Sequence, residues 1–153
     1  MNIDYKKQLT EEFIREHQEE IDWDQISCYQ KLSEEFIIEF QSKVNWIKIS
    51  TYQKISEKFI RKFQNKINWF FISFSQKLSE EFIREFQDKF DWYQISYHQK
   101  LSEKFILEFK DKIDWNSLLE KYGYDKYADQ EEYLNFDEFV NFVLRLIRLK
   151  AFQ

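Results

Sequence analysis

The 153-residue chain contains no proline, one glycine and one cysteine. Almost no residue in it therefore favours a positive φ or fixes φ, and the tight turns of a compact β protein are hard to supply. That points to helices joined by short links that side chains cap. The lone Cys28 excludes an internal disulfide and suits a reducing compartment. No apolar run approaches the roughly eighteen residues of a membrane span, and no basic-then-apolar signal opens the chain, so the expectation is a soluble, cytoplasmic protein with no membrane partner. Positive charge is also short. With 23 Lys and Arg against 28 Asp and Glu, the net charge of −5 weighs against direct nucleic-acid binding, whose footprint is usually basic.

Aromatic residues are abundant, at 20% of the chain, and so is a repeat. Trp23, Trp46, Trp69, Trp92 and Trp115 recur every 23 residues without a slip. The copies read LTEEFIREHQEEIDWDQISCYQK, LSEEFIIEFQSKVNWIKISTYQK, ISEKFIRKFQNKINWFFISFSQK and LSEEFIREFQDKFDWYQISYHQK, with a fifth that begins LSEKFILEFKDKIDWNSL and then diverges. Each copy holds two helix starts. Ser33 before EEFIIEFQSK and Asn45 before WIKISTYQK can both cap free amides, with Leu32–Ile37 and Val44–Ile49 as hydrophobic staples. The same signals recur as Leu78–Ser79–Ile83 and Phe90–Asp91–Ile95. They predict a helix A of about ten residues and a helix B of about eight, measured cap to cap.

Helices this short need tertiary support. Phe36, Ile37, Phe40 and Val44 form one stripe and Trp46 and Ile49 another, so successive pairs can bury a continuous core. The expected fold is an all-α α-solenoid of about five helix-turn-helix repeats over residues 1–122, starting near 9, 32, 55, 78 and 101, with a helical cap over 123–153. Ile3 to Leu9 matches the tail of a B helix, and Gly123 is placed as a helix C′ residue. Asn135 is a second candidate cap, opening FDEFVNFVLRLIRLK. Phe136, Phe139, Val140, Phe142, Val143, Leu146, Ile147 and Leu149 make that helix apolar around most of its circumference, so it is expected to be buried on more than one side. Covering the last repeat is the preferred role for it, and pairing with a second chain as a homodimer is the alternative.

The residues that could carry chemistry are sparse. His17 stands where later copies have Phe, and His98 where the first two copies have Tyr, which reads as packing variation. The Cys and His residues lack zinc spacing, and no glycine-rich loop could cradle a phosphate. The serines fall at caps or, as Ser27, Ser50, Ser73 and Ser96, inside helix B, where packing accounts for them. Residues 127–140, YADQEEYLNFDEFV, resemble half of an EF-hand, with Glu138 as closing ligand. Tyr127 in the first position and Glu132 in the sixth break the pattern, which needs an acid and a glycine there. The expectation is a protein without catalytic, cofactor or metal residues.

The surface that varies between copies is more informative. Helix B positions one, two and five after the Trp lie opposite its buried stripe. They hold Asp24, Gln25 and Cys28 in copy one, and Ile47, Lys48 and Thr51 in copy two. Copy three, within INWFFISFSQK, has Phe70, Phe71 and Phe74, and copy four has Tyr93, Gln94 and Tyr97. Ile47, Phe70, Phe71, Phe74, Tyr93 and Tyr97 are therefore the candidate partner-binding residues, set against the alternative that the rings fill grooves of their own protein. On helix A, Arg15, Arg61 and Arg84 form a row that reads as a solvated face or, less favourably, as an anion contact.

The string LSEEFIREFQDK(I/V)DW..IS.YQK over residues 9–115 resembles short tandem repeats in uncharacterised proteins of giant viruses and of low-GC bacteria and their phages. Its Ser-Glu-Glu-Phe-Ile and Asp-Trp elements carry the likeness. The resemblance implies no established activity, but small proteins of such elements often act by binding a host protein. The expected function is thus a non-enzymatic repeat protein that binds another protein. The alternative is an inhibitor of a host defence complex, of anti-CRISPR type, whose acidity would help it occupy a nucleic-acid channel.

Overall fold

The computed structural model describes residues 3–124 and 134–151, and among them are eleven α-helices and no strand. The fold is an all-α tandem repeat of the α-solenoid class. The A helices are α1 (Glu11–Glu16), α3 (Glu34–Glu39), α5 (Glu57–Lys62), α7 (Glu80–Glu85) and α9 (Glu103–Glu108). The B helices are α2 (Trp23–Tyr29), α4 (Trp46–Tyr52), α6 (Trp69–Ser75), α8 (Trp92–His98) and α10 (Trp115–Lys121), and α11 is Phe136–Ala151. The aromatic-rich INWFFISFSQK is therefore a helix, α6, and not the strand its composition suggests. The chain folds as two compact units, Met1–Gln76 with three repeats and Lys77–Gln153 with two repeats and α11.

Local capping explains why the helices begin where they do. Thr10, Ser33, Ser56, Ser79 and Ser102 are extended, and each hydroxyl accepts the N–H of the Phe three residues on. Asp22, Asn45, Asn68, Asp91 and Asp114 cap the B helices in the same way. The A helices are shorter than their cap-to-cap spacing predicts, at six residues each. Phe40, for example, leaves the helical region at φ −104 and ψ 28. The next residues wind into a turn, with Lys43 N–H donating to Phe40 O at 2.9 Å. The tryptophan closes that turn: Trp46 Nε1 donates to Gln41 O at 3.0 Å, and each of the other four does the same five residues back.

In the first unit the indoles of Trp23 and Trp46 also cover the next repeat. Trp23 lies 6.3 and 5.0 Å from Phe36 and Phe40, and Trp46 lies 6.2 and 5.1 Å from Phe59 and Phe63. Ile14, Ile26, Phe36, Ile37, Ile49, Ile60 and Ile72 are fully buried beneath them. The staple residues Leu32, Ile37, Val44 and Ile49 are all buried as well.

A polar ladder runs beside this core. Gln53 donates to Ser27 O at 2.9 Å and Gln30 O at 2.7 Å, and its Oε1 accepts Leu32 N–H at 3.1 Å. Gln76 repeats the pattern on Ser50 O, Gln53 O and Ile55 N–H, and Gln30 does so on Tyr5 O, Lys7 O and Leu9 N–H. The serines of helix B form a second rung. Ser27 Oγ accepts Asn45 N–H and Ser50 Oγ accepts Asn68 N–H, both at 2.9 Å. Each repeat thus satisfies backbone groups that its neighbour leaves open at a helix end, which buried peptide groups require.

The second unit uses the same parts. Trp92 lies 6.3 and 5.3 Å from Phe105 and Phe109, and Gln99 Oε1 accepts Leu78 N–H at 3.1 Å. In the last repeat Lys121 takes over the ladder, its Nζ donating to Gln99 O and Ser96 O. Burial of that ammonium lowers its pKa below 10.5. Helix α10 then ends as the sequence predicts. Gly123 has φ 75, Gly123 N–H donates to Glu120 O at 2.9 Å and Tyr124 N–H to Leu119 O at 2.8 Å, a Schellman motif.

Helix α11 packs on the last repeat. Asn135 and Glu138 form a capping box, each backbone N–H donating to the other's side chain at 3.1 and 3.0 Å. Trp115 meets Phe136 and Phe139 edge-on, at 6.2 and 5.9 Å. Lys110, just past α9, bonds Asp137 at the start of α11, while Glu103 at the start of α9 bonds Arg148 near the end of α11. The cap therefore runs antiparallel to α9 and closes the array with a reversed helix. One stripe is buried, formed by Phe139, Val140, Val143 and Leu144, while Leu149 is 60% exposed. The EF-hand-like stretch falls mostly on residues 127–133, outside the described residues. Glu138, its proposed closing ligand, is the acceptor in the capping box.

Candidate protein-binding face

The outer faces of the B helices are the surface the sequence singles out. In the first unit α2 packs on α4 and α4 on α6, so their outward side chains form one continuous strip. Of the three candidate positions the one after the Trp is the most open: Ile47 is 50% and Phe70 46% exposed. Phe71 and Phe74 are half-buried, and with Phe70 they form a cluster of edge-to-face rings at 5.4, 6.0 and 5.9 Å. The structure thus brings four of the six candidate residues into one strip, but presents them unequally. Phe71 and Phe74 support the open ring of Phe70 more than they face solvent.

In the second unit Tyr93 is 48% exposed and Tyr97 is half-buried, its ring edge-on to exposed His98 at 4.9 Å. Two residues were missed. Tyr29 and Tyr52, six after the Trp, are 51% and 56% exposed in the first unit, and Lys48 Nζ sits 5.6 Å over the Tyr52 ring. Helical geometry could have placed them on this face, since position six follows positions one and two at spacings of five and four. Their presence in both YQK strings disguised them as repeat framework.

The helix A arginines have a different setting. Arg15 Nε donates to Glu39 Oε2 at 2.9 Å, with its guanidinium 5.1 Å over the Phe36 ring. Arg84 makes a bidentate pair with Glu108 at 2.9–3.0 Å and lies 5.0 Å over Phe105. The Glu108 hydrogen bond raises the Arg84 pKa and lowers that of Glu108. Both arginines brace one repeat against the next, each reaching a glutamate 24 residues on. Arg61 is exposed on α5.

Neither histidine faces an open polar site. His17 Nδ1 is 2.9 Å from Phe13 O and its ring stacks on Phe13 at 4.2 Å, while His98 is exposed. Among the described residues no group of three or more His, Cys, Asp and Glu side chains could hold a metal ion, and no helix is long and apolar enough to cross a membrane. No protein-family model, curated protein or solved structure matches the chain.

Proposed function

We propose that this is a non-enzymatic helical-repeat protein that binds another protein through the outer face of its B helices. The observation that carries the reading is the large side chain left open after the Trp, Ile47 and Phe70 in the first unit and Tyr93 in the second, at 50%, 46% and 48% exposure. Apolar rings held in place by a rigid scaffold lose little entropy on docking, which suits them as anchors. Phe71 and Phe74 fix the pose of Phe70, and Tyr97 lies beside His98 in the second unit. The test is affinity capture with the wild-type chain and with Phe70→Glu plus Tyr93→Glu, after circular dichroism shows both folded. Loss of the captured protein supports the reading, and unchanged capture by the folded variant refutes it.

A second reading is inhibition of a host defence complex by occupying its nucleic-acid channel. The net charge of −5 and exposed Glu12, Glu16, Glu35 and Glu39 favour it. Co-expression that leaves interference intact would dispose of it. Direct nucleic-acid contact through Arg15, Arg61 and Arg84 has less support, because glutamates hold Arg15 and Arg84. Binding that ignores salt concentration would exclude that contact.

A further inference from the structure

Copy three differs from its neighbours on helix A as well as on helix B. Lys58 and Lys62 of α5 stand where α3 has Glu35 and Glu39, and all four are exposed. Glu34, Glu35, Ile38, Lys58, Phe59 and Lys62 line one groove between α3 and α5, within the first unit. One wall is acidic, the other basic, and half-buried Ile38 lies between them. Among the described residues no salt bridge engages Glu35, Lys58 or Lys62, while Glu39 is shared with Arg15.

We infer that this groove is a contact between two copies of the chain. An extended polyanion would lie along the acidic wall as much as along the basic one, and so gains little from the lysines. The groove instead suits a surface with the two signs side by side at the same spacing, and the chain carries one, the groove itself. A two-fold axis along the groove sets α3 of one copy over α5 of the other and keeps the helix direction. Because the two pairs occupy equivalent repeat positions, Glu35 then faces Lys58 of the second copy and Glu39 faces Lys62 of the second copy. Symmetry doubles this to four ion pairs around the two Ile38 side chains. Exposed pairs of this kind are individually weak and screened by salt, so the dimer is salt-sensitive. No residue of the B-helix face takes part, and the inference stands apart from the leading function proposed above.

Sedimentation equilibrium of the full chain tests it, at about 50 mM and about 500 mM salt. The expected result is a dimer at low salt whose dissociation constant rises roughly tenfold or more at high salt. Lys58→Glu with Lys62→Glu should be monomeric, and so should Glu35→Lys with Glu39→Lys. An equimolar mixture of these two variants should recover the dimer, because each then supplies one uniform sign. Recovery also shows that both variants are folded. A wild-type monomer at low salt overturns the inference. A dimer that survives the lysine reversals overturns it too and would place the contact on another surface, such as α6 or α11.

Discussion

Replacing Gln53 by alanine is the most direct test of how the repeats are joined. The side chain is 5% exposed and makes three bonds, to Ser27 O, Gln30 O and Leu32 N–H. A net value of about 1 kcal/mol per bond gives about 3 kcal/mol. The Leu32 N–H is stranded in a buried position, which adds about 1–2 kcal/mol. The expected loss is thus about 4–5 kcal/mol, a large share of the roughly 5–15 kcal/mol that holds a domain together. With a urea m-value of about 2 kcal/mol/M, the midpoint followed by far-UV circular dichroism should fall by about 2 M. Gln53→Glu should cost at least as much at neutral pH, since a carboxylate oxygen would face two carbonyls. Lys54→Ala, one residue on and exposed, should move the midpoint by no more than about 0.25 M. A Gln53→Ala variant within about 1 kcal/mol of wild type would refute the ladder as a source of stability.

Other substitutions read other parts of the scaffold. In α11, Leu144→Ala should cost about 2–5 kcal/mol, because Leu144 is 3% exposed, whereas Leu149→Ala at 60% exposure should be near neutral; urea titration of both checks which side of the helix covers the last repeat. Phe70→Asp installs the acidic residue that copy one carries at that position, Asp24, and should change stability by less than about 1 kcal/mol. A larger loss would make the ring part of the core and count against the binding face. Stability should rise with pH between the lowered Lys121 value and the ordinary lysine value of 10.5, because the unfolded chain holds a proton there that the folded chain has lost; Lys121→Met should flatten that slope. The Glu103 and Glu108 carboxylates shift downward from 4.5, through hydrogen bonds from Arg148 and Arg84. Their contribution is therefore present above pH 4.5 and lost as pH falls through the depressed values, so Glu108→Gln should make acid titration of the second unit shallower.

The parts of the fold legible in the sequence are those whose partners lie a few residues away. Ser33 caps the Phe36 N–H and Asn45 caps Ile47 and Lys48, so each helix start is written within four residues of chain. The buried stripes follow from the same short period. Helix A length was less legible. Its last turn is decided by Trp46 reaching back to Gln41, and a side chain bonding to a carbonyl leaves no mark in a propensity pattern. The ladder was hidden for a related reason. Glutamine is ordinarily a surface residue, and Gln53 is buried only because Ser27, Gln30 and Leu32 of the preceding repeat and the link converge on it. Its recurrence in all four YQK, SQK and HQK strings, beside a varying neighbour, was the available signal. The direction of α11 had none, since an apolar stripe buries equally well in either sense and the pairs that orient it join residues 27 and 45 positions apart.

The same distinction explains why the candidate faces can vary. Stacking is carried by Trp rings, buried isoleucines, the helix B serines and the glutamine ladder, all of which recur from copy to copy. Backbone groups at the repeat junctions are therefore satisfied without help from the positions after each Trp, or from the outward positions of helix A. Those positions can change from Asp24 to Ile47 to Phe70, or from Glu35 to Lys58, with little effect on the junction. Copy three makes both changes at once, gaining three Phe on α6 and two Lys on α5. Neither change is needed to hold it against α4, which packs on α6 through residues that recur in most copies. An apolar surface that the scaffold does not require carries a solubility cost with no return in stability. That imbalance is the physical reason the third repeat is central to the proposed binding face.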